Sequence, residues 1–157
     1  MIESRMERDR AVSISITHVL TVGITTILIA MLLTSASTML EVESERSTES
    51  SLETIGERLA NEIGNVDQIA DENTTVNATV THPRTAGSSR YTVTAAPSNC
   101  GPLIEGETEC LKLTAQSVDV TVYVPIKTDA DLEGTSTGGA IEIQSDGDEI
   151  SITEEER

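Results

Sequence analysis

The chain has 157 residues, with 27 acidic against 10 basic side chains and a formal net charge of −17. So acidic a chain repels nucleic acid, which argues against a nucleic-acid partner, and its length allows one domain of ordinary size and little more. Phe and Trp are absent and the tyrosines are Tyr91 and Tyr123, so any core must be aliphatic and bury less apolar area per side chain than rings would.

The charge is unevenly placed. In residues 1 to 40, Glu3, Glu7 and Asp9 are balanced by Arg5, Arg8 and Arg10, so the whole acidic excess follows Leu40. From Ala11 to Leu33 runs a stretch of 23 residues whose one ionisable side chain is His18. As a helix it would be about 34 Å long, enough to cross a hydrocarbon core of about 30 Å. Three arginines precede it and Arg46 follows, so the positive-inside rule predicts a cytoplasmic N-terminus and an extracellular C-terminal domain. A cleaved secretory signal ending near Ser35, Ala36 and Ser37 is the first alternative, but its apolar region would be shorter.

Arg10-Ala11-Val12-Ser13 joins the charged leader directly to the apolar run. This junction resembles the class III signal peptides of archaeal type IV pilins and pilin-like proteins, whose haloarchaeal members start with a similar Arg, small residue, Val, Ser sequence before a Thr- and Ile-rich helix. The resemblance covers roughly the first forty residues. It implies cleavage between Arg10 and Ala11 by a prepilin-type peptidase, retention of the helix in the membrane, and other pilin-like subunits as partners. Bacterial pilins place Glu at the fifth residue of the mature helix, where this chain has Ser15. Archaeal members commonly lack that Glu, so the departure puts the bacterial mode of subunit registration in doubt and leaves the class intact. The sparse lysines, Lys112 and Lys127, and the abundant carboxylates and hydroxyls also resemble proteins adapted to molar salt. There, self-repulsion is screened over roughly 3 Å.

Ser13, Thr17, Thr21 and Thr25 recur at i+4, with His18 beside them, and Thr26, Ala30, Thr34 and Thr38 form a second row. Such ridges suit close helix packing and interhelical hydrogen bonds. The competing use of each hydroxyl is a bond to its own helix carbonyl four residues back. An intramembrane His marks function by default, and with no second ionisable group nearby an interhelical hydrogen bond is its expected role.

Farther on, Leu52, Ile55, Leu59, Ile63, Val66 and Ile69 recur at spacings of three and four, a helical stripe facing one surface. Either one helix runs from Ala11 to about Ile63, or a capping box at Ser50 and Glu53 starts a second. After Gly64 the period becomes two. Val76, Ala78 and Val80 alternate with polar residues, as do Tyr91, Val93 and Ala95. Leu111, Leu113 and Ala115 are odd-numbered while Val118 through Ile126 are even, so a bulge or turn is required near Gln116 and Ser117. A two-residue turn at Asp146-Gly147 would set Ile143 opposite Ile150 and Ile141 opposite Ile152. The architecture expected is α+β and pilin-like: a leader over 1–10, a transmembrane helix over 11–40, an amphipathic continuation over 41–70, and an acidic antiparallel β domain over 71–157.

Cys100 and Cys110 enclose Gly101, Pro102 and Gly106. Outside the membrane a disulfide is expected, contributing roughly 2 to 3 kcal/mol, against the alternative of two free thiols. A metal site lacks further ligands nearby. Asp129, Asp131 and Glu133, followed by Gly134, resemble the opening of an EF-hand loop, but Ala140 stands where the bidentate Glu belongs, which makes this a weak Ca²⁺ candidate. Asn73 and Asn77 head possible N-glycosylation sequons. Outside the apolar run the one histidine is His82, and there is no phosphate loop or dinucleotide fingerprint. The expectation is therefore a non-enzymatic structural subunit without cofactors. Its rival is an uncleaved bitopic membrane protein whose outer domain binds a ligand or partner.

Overall fold

A computed structural model describes residues 3–71, 74–96, 100 and 108–155, with the side chains of the first helix described from residue 16 onward. The chain forms two units, Met1–Val42 and Glu43–Arg157. Helix α1 spans Glu3–Asp67. Within the first unit it carries exposed apolar side chains all round, among them Ile16, Leu20, Ile24, Ile27, Leu28 and Leu32. Its most apolar 18-residue window has a mean hydropathy of 2.2 with nothing buried, and a helix of this length and composition is able to cross a membrane.

In the second unit the helical stripe does what its spacing predicts. Leu52, Ile55, Leu59, Ile63 and Val66 are buried against a sheet. Ile69 departs from the stripe and is 66 % exposed, because α1 stops at Asp67 and the chain turns back with the Ile69 and Ala70 amides both donating to the Val66 carbonyl. No second helix starts at Ser50. The Thr54 hydroxyl donates to the Ser50 carbonyl and Ser51 to Ser47, and Thr48, before the supposed cap, is already wholly buried.

Eight strands follow: β1 (Val76–Thr81), β2 (Thr85–Ala86), β3 (Ser89–Ala96), β4 (Cys110–Ala115), β5 (Thr121–Pro125), β6 (Asp131–Thr137), β7 (Ala140–Ser145) and β8 (Glu149–Glu154). They form one sheet in the order β1-β7-β8-β6-β3-β4-β5, with β2 added on β3. Every pairing is antiparallel except β6 with β8. The inward face carries Val93, Leu111, Leu113, Val122, Ile141, Ile143, Ile150 and Ile152, packed with the helical stripe into one aliphatic core. The parity switch after Ala115 is a turn: β4 and β5 pair with Leu113 opposite Val122, and the buried Ser89 hydroxyl accepts the Gln116 and Ser117 amides at the bend.

The β7–β8 hairpin corrects the expected register. Ile143 pairs with Ile152, Ser145 with Ile150 and Ile141 with Glu154, two residues away from the predicted alignment. The turn is centred on Gly147-Asp148 instead of Asp146-Gly147, since the Asp146 amide donates to the Glu149 carbonyl. Gly147 has φ 96°, the backbone that a type II′ turn demands at its first central position. The Asp146 carboxylate also accepts the amides of Asp148 and Glu149. A shift of two preserves side-chain parity, so all four isoleucines remain inside.

The parallel pair arises because β8 inserts between β6 and β7. β6 pairs with β8 through Asp131–Gly134 and with β3 through Thr135–Thr137. At the change of partner stands Gly134, with φ 101° and no room for a Cβ against the Ile152 carbonyl.

Gly56 marks the closest approach of helix and sheet. A Cβ there would meet Val124 Cγ2 at 2.6 Å and Leu113 Cδ1 at 3.0 Å, whereas one at Gly64 would meet nothing within 4 Å. Replacing helical Gly by Ala normally gains about 1 kcal/mol, but overpacking costs about 1 to 3 kcal/mol. Gly64→Ala should therefore raise the unfolding midpoint and Gly56→Ala should lower it, as urea unfolding monitored by circular dichroism would show.

Candidate functional site

In the apolar helix the hydroxyls turn inward on their own backbone. Thr21 donates to the Thr17 carbonyl and Thr25 to the Thr21 carbonyl, each at 2.8 Å, while Thr26 and Thr34 do the same to Val22 and Ala30. Each of these donors is thus satisfied within the helix. What the ridge keeps for a neighbouring helix is its small size and the remaining acceptor capacity of each oxygen. His18 is exposed beside this ridge. Arg10, Ala11 and Ser13 lie in the helical backbone of α1.

Cys100 and Cys110 form a disulfide, their Cα atoms 5.6 Å apart. Cys110 is the first residue of β4, and Ile126 continues from β5 beside it by donating to the Glu109 carbonyl. The intervening Gly101, Pro102 and Gly106 lie outside the described residues, as does Asn73. Asn77 is exposed on β1, on the opposite side from the partly buried Val76, Ala78 and Val80.

The Ca²⁺ candidate is not assembled. Asp131 and Glu133 are strung along β6 as exposed strand positions, and Asp129 precedes them. An extended strand spaces its carboxylates instead of wrapping them around a point. Among the described residues, no three His, Cys, Asp or Glu side chains gather in a way that could hold a metal ion.

Two sites escaped the sequence patterns. His82, just after β1, is 6 % exposed, and its Nε2 lies 3.3 Å from Glu62 Oε2 on α1. The pair is within ion-pair range but out of line for a hydrogen bond. The backbone amide of His82 donates to the Gly139 carbonyl. Nothing in the spacing of Glu62 and His82 announces this contact across the fold.

The second is a cleft of about 730 Å³ at the end of the sheet where β2, β3, β6 and β7 meet. Arg84 and Arg90 line it together with Gln116, Thr137, Glu154 and Glu155. Tyr91 forms its inner wall. Its hydroxyl donates to the Pro83 carbonyl at 2.7 Å, its ring lies against Gly138, where a Cβ would come within 2.5 Å, and burial pushes its phenol up from 10.0 to about 12. Gly139, with φ 135°, a backbone that residues with side chains rarely adopt, makes the turn beside the stem of Arg84. The Thr137 hydroxyl donates to Glu154 Oε2 at 3.1 Å, and the Gln116 side-chain amide to Thr92 Oγ1 at 3.4 Å. The signal that was present in sequence was the rarity of cations after Leu40. Arg84 and Arg90 lie close in sequence, but only the β2–β3 hairpin makes them neighbours.

The chain belongs to a family of unknown function, DUF7266, whose sequence profile matches residues 7–153. No curated protein and no solved structure matches it.

Two outcomes follow from this geometry. Iodoacetamide should label neither cysteine of the denatured, unreduced protein, and reduction should lower unfolding stability by about 2 to 3 kcal/mol. For Tyr91 the neutral phenol is the form favoured by the fold, so its contribution is complete below pH 10 and is lost as pH rises towards 12. In a Tyr123→Phe chain, phenolate absorbance should appear near pH 12, together with loss of structure; titration near pH 10 in the intact fold would contradict the burial.

Proposed function

We propose that this protein is a structural, non-enzymatic pilin-like subunit of a surface filament, or of the apparatus that assembles one, in a haloarchaeal membrane. A prepilin-type peptidase removes residues 1–10, the apolar helix stays in the cytoplasmic membrane and packs with other pilin-like subunits, and the acidic β domain is displayed outside the cell. No cofactor and no nucleic acid enters the reading. One observation carries it: α1 presents an unburied apolar surface in the first unit and, in the second, an apolar stripe packed on an antiparallel-rich sheet. A charged leader joined to Ala11-Val12-Ser13 supplies the processing signal. The hydroxyl ridge of Ser13, Thr17, Thr21 and Thr25 is the surface on which neighbouring helices approach. The disulfide and the exposed Asn77 suit an oxidising, glycan-accessible exterior.

The cleft beside Arg84 and Arg90 favours a second reading, an uncleaved bitopic membrane protein whose outer domain binds a ligand. The mature N-terminus separates the two. Intact mass of the membrane-extracted protein should correspond to a chain lacking ten residues. Arg10→Glu with Ala11→Glu should leave the leader attached. A full-length wild-type mass would overturn the pilin-like reading.

A further inference from the structure

The cleft at the end of the sheet has walls of opposite sign that do not neutralise each other. Arg84 and Arg90 lie on one side and Glu154 and Glu155 on another, yet no N···O approach of 4.0 Å or less joins them. In a chain with 27 carboxylates and 10 basic groups, two guanidiniums without an ion-pair partner among the described residues call for explanation. Their positions are set by the fold: the stem of Arg84 runs beside the Gly139 turn, and the Glu154 carboxylate receives the Thr137 hydroxyl.

We propose that this cleft binds a short free peptide with both termini charged, its carboxylate held by Arg84 and Arg90 and its ammonium by Glu154 and Glu155. Guanidinium groups match carboxylates in a two-pronged geometry, and carboxylates accept the three N–H donors of an ammonium. Net charge selects between ligand classes. A simple anion would meet Glu154 and Glu155 and a simple cation would meet Arg84 and Arg90, whereas a zwitterion offers each wall the opposite charge and is opposed by neither. Volume selects within the class: about 730 Å³ lies in the range of sites that enclose drug-sized ligands and exceeds what one amino acid fills. Gln116 and Thr137 then stand along the cleft to meet peptide N–H and C=O groups. The inference goes beyond the filament reading and holds whether or not the chain polymerises.

The test is calorimetric titration of the detergent-solubilised full chain, at one fixed salt concentration, with trialanine, N-acetyl-trialanine and trialanine amide. Trialanine should bind saturably. Each blocked peptide loses one charged terminus and should bind at least about threefold more weakly, the size expected for a partly exposed ion pair. Arg90→Gln should erase the preference for a free carboxylate, and Glu154→Gln should reduce the preference for a free ammonium, while Lys127→Gln, outside the cleft, should change neither. Equal binding of all three peptides to the wild-type chain would overturn the assignment, as would no saturable heat with trialanine. Since the blocked-peptide comparison uses the unaltered protein, poor folding of a variant does not protect the proposal.

Discussion

Aliphatic side chains are short, and a helix can rest on a sheet of Ile, Leu and Val only if the two backbones come close. With no Phe or Trp to span a wider gap, contact between α1 and the sheet must be made at short range, and Gly56 is where the helix gives up a side chain so that Val124 and Leu113 can reach it. Voids at this layer would forfeit dispersion contacts that no larger ring could restore. The remaining inward positions follow from that approach: Leu52, Leu59 and Ile63 on the helix, and four isoleucines on β7 and β8, all without measurable exposure.

Outside the core, the acidic balance decides how loops are tied down. Cations are too few to pair with most carboxylates, and the contact of His82 with Glu62 becomes an ion pair only when the imidazole is protonated. Hydroxyls do the fastening instead. Thr128 donates to Asp67 at the end of α1 and accepts the Ala130 amide, Ser89 holds the β4–β5 bend, and Tyr91 secures Pro83. Bonds of this kind do not depend on opposite charges meeting across solvent, so they tolerate the screening that removes surface ion pairs at high salt.

Periodicity made much of this legible in advance. The stripe from Leu52 to Val66 and the alternation in β3, β4 and β5 report burial on one face, which spacing encodes directly. Register was harder, because Asp146-Gly147 and Gly147-Asp148 both offer turns that keep Ile141, Ile143, Ile150 and Ile152 on the same face, and only the backbone preference of Gly147 separates them. The Ser50 cap failed for another reason. Local capping signals give way where packing, here already begun at Thr48, holds the backbone helical. The cleft was invisible in sequence because its walls come from β2, β3, β6, β7 and the end of β8, a juxtaposition that depends on strand order.

The insertion of β8 between β6 and β7 also has a kinetic meaning. In chain order β8 follows every other strand, yet in the sheet it joins the β1-β7 pair to the half containing β6, β3, β4 and β5. A chain emerging from its N-terminus can assemble the β3–β4–β5 meander early, because those contacts are local, but the two halves have no bridge until β8 arrives. Until then β6 presents an unpaired edge along Asp131–Gly134. Asp131 and Glu133 are exposed on that stretch, and charged side chains there would oppose pairing with a stray strand from another chain wherever β8 is not in place. Acidity on this stretch is thus of the kind that keeps an incomplete sheet from pairing with the wrong partner.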